Sequence, residues 1–106
     1  MSFDDCLFDA FNAEYRDLKE MGVDMLFTYA PKNIHCLTDR STEYEINRVH
    51  SLMLEKLECP VISDIWDSLF PGNYFYLIDN HLCDIGATIR TENVIRDLNV
   101  YFSSKA

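Results

Sequence analysis

A chain of 106 residues with 48% hydrophobic and 25% charged residues has the size and composition of one globular domain. Its formal net charge of −9 disfavours direct binding to nucleic acid, which requires clustered lysine and arginine to displace counterions from phosphates. No apolar run approaches the roughly 20 residues of a membrane-spanning helix, and the acidic start at 1–5 lacks the bases of a secretory signal. We therefore expect one domain over residues 1–106 that stays in the cytoplasm and binds neither nucleic acid nor membrane directly.

The first element predicted in chain order is a helix. Ser2 and Asp5 have the spacing of a capping box, and Gly22 is placed to end the helix. Between them, apolar residues recur at helical spacing: Phe3, Leu7, Phe11, Tyr15 and Leu18. Polar residues fall on the opposite side: Asp5, Asp9, Asn12, Arg16 and Glu20. We expect that polar side to face water or a partner. Glu14 projects onto the apolar side, where we expect it to find a partner or to lie at an edge.

A hairpin of two short strands is predicted next. Apolar and polar residues alternate over 23–29, and a second apolar run, 34–37, follows the turn at Pro31. Thr42 and Glu45 then form a second capping-box pair, which begins a helix that ends at Cys59-Pro60. One side of this helix is apolar: Ile46, Val49, His50, Met53, Leu54 and Leu57. Leu52 lies on the other side.

The last third of the chain carries a second hairpin signal. Ser63 caps a short predicted helix over 65–70, for which a strand is the alternative. The runs 74–78 and 81–85 flank Asp79-Asn80, a connection that suits a tight hairpin. Thr91 then caps a final helix with an apolar stripe that we expect to be buried: Val94, Ile95, Leu98, Tyr101 and Phe102. The predicted fold is α+β, a small antiparallel sheet of two hairpins with three to four packed helices, in the order α-β-β-α-α-β-β-α.

The sequence contains no motif that specifies a metal or cofactor. The four cysteines lack the paired spacing of a zinc site or a disulfide scaffold, and we expect free thiols: Cys6, Cys36, Cys59 and Cys83. His81 and Cys83 share one face of a predicted strand, whereas the adjacent His35 and Cys36 point to opposite faces. A thiol or zinc enzyme at His81 and Cys83, joined by the other pair, is therefore a minor alternative. The three glycines are too far apart for a phosphate-binding loop.

The negative charge is unevenly distributed along the chain. Residues 1–24 hold seven acids and two bases, and residues 61–80 hold three acids and no base. A solvated helix face usually carries both signs, so this imbalance favours a binding surface. Trp66 lies within the second segment and is of a type that anchors interfaces, although a core position is the alternative for it. The predicted partner-binding residues are Asp5, Asp9, Asp17, Glu20, Asp64, Trp66 and Asp67.

These observations favour a binding protein over an enzyme. The leading hypothesis is a small acidic inhibitor that occupies a basic surface, either nucleic-acid-binding or active-site, of a nuclease, a defence complex or another nucleoprotein complex. This profile is similar in physical type to DNA-mimic inhibitors, nuclease immunity proteins and anti-defence proteins. The alternative is a structural or adaptor subunit that forms a homodimer or a hetero-oligomer. Its apolar surface would combine Leu52, Val100 and one face of the strand at 74–78.

Overall fold

The computed structural model of the protein describes residues 3–39, 41–75 and 81–105. Within these ranges the chain forms three α-helices: α1 at Phe3–Glu20, α2 at Glu43–Lys56 and α3 at Asp84–Ser103. Two strands, β1 at Lys32–Asn33 and β2 at Leu69–Phe70, pair in parallel. Short 3-10 helices occur at Ile34–Cys36, Ile65–Ser68 and Gly72–Tyr74.

The predicted antiparallel sheet of two hairpins is wrong, and with it the order α-β-β-α-α-β-β-α. The sheet in the described ranges consists of the two parallel strands, and the structure is mainly helical. Phe27 pairs only through one parallel bridge with Val61, far along the chain. The first hairpin fails because the side chain of Asn33 accepts a hydrogen bond from the His35 backbone N–H at 2.9 Å. That local bond turns the following residues into a 3-10 helix instead of a second strand.

The second predicted hairpin is reduced to one antiparallel bridge, between Phe75 and Leu82. Residues 76–80, which include the predicted Asp79-Asn80 turn, lie outside the described residues. The strand expected at 81–85 ends early because α3 begins at Asp84, seven residues before the predicted cap at Thr91. Glycine at position 86 permits this start, since the first turn of α3 packs directly on the backbone of Tyr74.

The first two predicted helices are confirmed. Gly22 follows α1 with a φ of +77°, the left-handed conformation in which glycine ends helices. The hydroxyl of Thr42 accepts a hydrogen bond from the Glu45 backbone N–H at 3.1 Å, as expected of a capping pair. Ser2 lies outside the described residues. The short segment after residue 63 forms both predicted alternatives in turn, a 3-10 helix and then β2, and its cap is Asp64 rather than Ser63.

The core is thin for a chain of this length. Among the residues that the structure describes, five hydrophobic ones are buried: Tyr29, Leu57, Cys59, Phe70 and Phe75. The accessible surface is 7473 Å², against roughly 6,100 Å² expected of a compact monomer of this mass. The radius of gyration is 15.4 Å, against about 13 Å expected for this length. Considerable apolar surface therefore remains uncovered.

We expect Gly86→Ala to destabilise the fold. Alanine in place of glycine usually stabilises a helix by about 0.5–1 kcal/mol. Here the new Cβ atom would overlap with the carbonyl oxygen of Tyr74, and we expect a loss of about 1–3 kcal/mol from overpacking. Denaturant unfolding measures this change, with Ala87→Ser at the neighbouring exposed position as the control. A higher midpoint for Gly86→Ala than for the parent would contradict the close packing.

Candidate functional site

The polar side of α1 packs on the end of α2 and does not simply face water. Asn12 is buried. Its side-chain Nδ2 donates to the Lys56 carbonyl at 2.9 Å, and its Oδ1 accepts from the Glu58 backbone N–H at 2.9 Å. Carbonyl groups in the last turn of a helix lack partners within the helix. Asn12 therefore supplies one of these partners and joins α1 to α2.

Two ion pairs flank this junction, one on each side of Asn12 along α1. Asp5 Oδ1 lies 2.9 Å from Lys56 Nζ, and Arg16 Nη1 lies 3.1 Å from Glu58 Oε2. All four side chains are partly exposed, so each pair contributes roughly 0–1 kcal/mol. Asp5, which was predicted to bind a partner, thus has a role within the chain.

Three acids of α1 remain exposed and form no ion pair with the described residues. They are Asp9, Asp17 and Glu20, which we call the acidic face of α1. They fall within an arc of about 80° and span about 16 Å along the helix. The neighbouring base on this side, Arg16, is occupied by Glu58. The negative charge of this face is therefore uncompensated by α1 itself.

The negative charge of the second acidic segment, residues 61–80, is neutralised in part by a base from α3. Arg96 Nη2 lies 2.8 Å from Asp67 Oδ2 and 3.0 Å from Asp97 Oδ1. The hydrogen bond and the charge of Asp97 raise the pKa of Arg96, and the charge of Asp67 adds to this effect. Asp64 accepts a hydrogen bond from the Trp66 backbone N–H at 3.0 Å and so caps the 3-10 helix. Asp64 and Asp67 both act within the chain.

Trp66 lies at the surface and is bound to α2. Its indole Nε1 donates to Asn47 Oδ1 at 2.7 Å, and 40% of the residue is exposed. Asn47 and Lys56 are nine positions apart on α2, which places them about 180° apart around its axis and about 13 Å apart along it. Because Lys56 binds α1 and Asn47 binds Trp66, the two acidic segments attach to opposite sides of α2. They do not form one continuous patch.

An apolar groove lies between α1 and α2, with a volume of about 330 Å³. We call it the α1–α2 groove. Its walls are mainly apolar: Leu7, Phe8 and Phe11 from α1, and Val49, Leu52 and Met53 from α2. Leu7 and Phe11, predicted to be buried, are 44% and 51% exposed. Leu52 faces α1 across this groove, and Glu14 is exposed rather than enclosed by apolar side chains. The burial of Asn12 turns α1 so that its apolar stripe lies at the edge of the contact.

A part-buried polar contact joins Tyr29 and His50. The tyrosine hydroxyl lies 2.7 Å from His50 Nδ1, and Tyr29 is 8% exposed. Burial, and secondly the negative charge of Asp64, raise the pKa of Tyr29 to about 12. A tyrosine with a raised pKa is a weaker acid than usual, so this pair acts as a structural hydrogen bond and not as an activated proton donor.

The described side chains of the thiol or zinc alternative do not form a metal-binding cluster, and the side chain of Cys36 lies outside the described residues. Cys83 precedes the first residue of α3, and its Sγ donates to the Asn73 carbonyl at 3.5 Å. His35 packs against Gly72. In the part of the chain that the structure describes, no three His, Cys, Asp or Glu side chains are placed to share a metal ion. Burial raises the pKa of the Cys59 thiol, which makes it less reactive.

No protein-family model, curated protein or solved structure matches this chain. Over the described ranges, the length and hydropathy of the helices are insufficient for a membrane span. Two surfaces of the molecule are candidates for its function, the acidic face of α1 and the α1–α2 groove.

We expect Tyr29→Phe to weaken the fold at neutral pH but to make it more tolerant of alkali. Loss of the hydrogen bond to His50 should cost about 0.5–1.5 kcal/mol at pH 7. The pKa of Tyr29 is raised from 10.0 to about 12 in the folded chain. Its contribution is therefore complete below about pH 10 and is lost as the pH rises through about 12.

Denaturant unfolding at pH 7 and pH 11.5 tests this, with Tyr44→Phe at an exposed tyrosine as the control. The stability difference between Tyr29→Phe and the parent should shrink at the higher pH. An unchanged difference would show that Tyr29 ionises as readily in the folded chain as in the unfolded one.

Proposed function

We propose that the chain acts by binding a basic protein surface, as an inhibitor of a nuclease or defence complex, and not as an enzyme. The observation that carries this proposal is the acidic face of α1, where Asp9, Asp17 and Glu20 are exposed and unpaired with described bases. The net charge of −9 adds long-range attraction for a basic partner. Complementary charge raises association rates and selects the orientation of docking.

The charge density of α1 limits how closely it can imitate a nucleic acid. Double-stranded DNA carries about one charge per 1.7 Å, or roughly ten charges over the 16 Å that the acidic face spans. That face carries three. We therefore propose that it shares the sign of a phosphate backbone but not its spacing, so that apolar contacts must supply much of the affinity.

The proposed contact surface is smaller than the set of residues predicted from the sequence. Asp9, Asp17 and Glu20 remain in it. Asp5 and Asp67 are in ion pairs, and Asp64 is a cap. Trp66 is exposed on the other side of α2, where it would contact a partner only if that partner wraps around the helix. A cytoplasmic location remains part of the proposal, because the described cysteines are free thiols: Cys6, Cys59 and Cys83.

A second candidate, an oligomeric adaptor, is favoured by the apolar surface of α3. Ile95 and Phe102, which were wrongly predicted to be buried, are 53% and 49% exposed, and their spacing of seven residues places them on the same side of the helix. Val100, predicted to contribute to such an interface, is 65% exposed but lies on a different side of α3, about 150° around its axis. In this case the negative charge would serve solubility alone.

We expect the acidic face of α1 to be required for capture of a basic partner from nuclease-treated host lysate. The parent chain, immobilised and washed at low and high salt, should retain a basic protein only at low salt, since screening weakens exposed charge pairs. The triple variant Asp9→Lys, Asp17→Lys and Glu20→Lys should lose it.

A matched control tests whether the position of the negative charges, and not only the net charge, determines binding. The variant Asp39→Lys, Glu43→Lys and Glu92→Lys changes the net charge equally at exposed sites outside α1 and should retain the partner. If both triple variants lose the partner equally, the partner does not bind one localised acidic surface. Retention by the parent at every salt concentration would contradict an electrostatic one.

The adaptor candidate predicts self-association through α3. Sedimentation equilibrium should then give a mass well above the 12.4 kDa of one chain, and the value should fall to one chain in the double variant Ile95→Asp and Phe102→Asp. Moderate salt should have little effect, because burial of apolar surface drives the contact. A parent chain that is monomeric at all concentrations rules out homo-oligomers and leaves only a hetero-oligomeric adaptor.

A further inference from the structure

The α1–α2 groove has the length of a helix-binding site. Along α2 its lining runs from Arg48 to Leu57, nine positions or about 13 Å. A helix that docks in a groove uses apolar anchors at positions i, i+3 or i+4, and i+7. Those anchors span about 10 Å along the helix axis. The groove is therefore long enough for one such set of anchors.

The charges around the groove are not balanced. The bases next to it each have an acidic partner: Arg48 contacts Glu45 at 3.0 Å, and Lys56 contacts Asp5 at 2.9 Å. Two exposed acids border it without an ion pair to any described residue: Glu14, three positions after Phe11, and Glu55, three positions after Leu52. Residues three positions apart are neighbours on a helix surface. The apolar groove thus has a net negative rim.

We propose that the α1–α2 groove binds an amphipathic helix of the partner, with apolar anchors in the groove and lysine or arginine beside Glu14 and Glu55. This inference rests on the proposed function, since it names the segment of the basic partner that is recognised. It also supplies the apolar contacts that the sparse charges of α1 require. Leu7 and Phe11 are the exposed wall that the partner helix covers.

A second copy of this chain is a poorer occupant than a basic helix. Self-association through the groove would bring together the acid-rich α1 helices of two chains that each carry a net charge of −9. Like charges brought together at an interface oppose association. A basic helix meets the opposite condition, because its charges complement the rim.

The test uses a fluorescent peptide of leucine and lysine, about 18 residues long, with leucine at i, i+3, i+4 and i+7. Fluorescence anisotropy compares it with a scrambled peptide of the same composition and with a version in which glutamate replaces lysine. We expect the parent chain to bind the amphipathic basic peptide, and to bind both comparison peptides at least about tenfold more weakly.

The decisive variant is Leu7→Asp with Phe11→Asp. It makes the chain more negative, so charge attraction alone would tighten binding of the lysine peptide. Docking in the groove instead predicts a loss of about tenfold or more, because the apolar wall is replaced by carboxylates. The control, Tyr44→Asp with Ile85→Asp, adds the same charge at exposed positions that do not line the groove and should bind no more weakly than the parent. Equal or tighter binding by the groove variant overturns the proposal.

Two further measurements test whether the groove variant is folded and whether the peptide binds in the groove. Circular dichroism and the thermal midpoint show whether the groove variant is folded; if it is not, the single variant Leu7→Gln repeats the test. Methyl resonances of Met53, which lines the groove, should shift when the basic peptide is added. A shift on raising the protein concentration alone indicates a second copy in the groove and overturns the proposal.

Failure of this inference is distinguishable from failure of the proposed function. If the groove variant still retains the basic partner from lysate in a salt-sensitive manner, the groove is not the site but the acidic-surface function stands. If the acidic-face triple variant also retains it, the proposed function fails as well.

Discussion

The side chain of Asn12 determines how α1 sits on the rest of the molecule. Its amide bonds both to the last carbonyl of α2 and to the backbone N–H two residues later, at Glu58. A fully buried backbone group without a partner costs about 1–3 kcal/mol. Both hydrogen bonds of Asn12 are part-buried, so pairing these two groups favours one rotation of α1 by less than that full cost. With Asn12 inward, Leu7 and Phe11 lie at the edge of the contact. Asp9, Asp17 and Glu20 remain exposed.

Charge compensation across the fold then decides which acids remain available to a partner. Residues 61–80 contain no base, yet Arg96 of α3 lies against Asp67 and removes much of the local charge. The charge of Asp5 is compensated by Lys56 in the same way. Five exposed acids on α1 and beside the α1–α2 groove keep their charge without an ion pair to a described residue: Asp9, Asp17, Glu20, Glu14 and Glu55. An acidic surface and an apolar groove therefore share one helix.

Local signals predicted the helices well and the sheet poorly. The capping pair at Thr42 and the glycine after α1 are short-range devices, and both elements formed as expected. The first hairpin failed because the side chain of Asn33 capped a turn where a short apolar run, 34–37, had indicated a strand. The start of α3 was missed because Thr91 is a good cap, whereas the true start depends on a close contact between position 86 and Tyr74.

The candidate site was harder to predict, since its two decisive features are long-range. A helical projection places the apolar stripe inward unless a polar residue has a better partner, and the partner of Asn12 lies 44 positions away. Likewise, nothing near Asp67 in the sequence indicates Arg96. Asp9, Asp17 and Glu20 were identified correctly as exposed, but their separation from Trp66 follows from attachment to opposite sides of α2.

The thin core also bears on how long the chain survives in a cell. A fold with few enclosed side chains opens readily, and proteases cleave the opened form. A partner that binds only the folded chain lowers the population of that form by mass action. Free copies would then be degraded faster than bound ones, so the abundance of this protein would follow the abundance of its partner without any separate control of its synthesis.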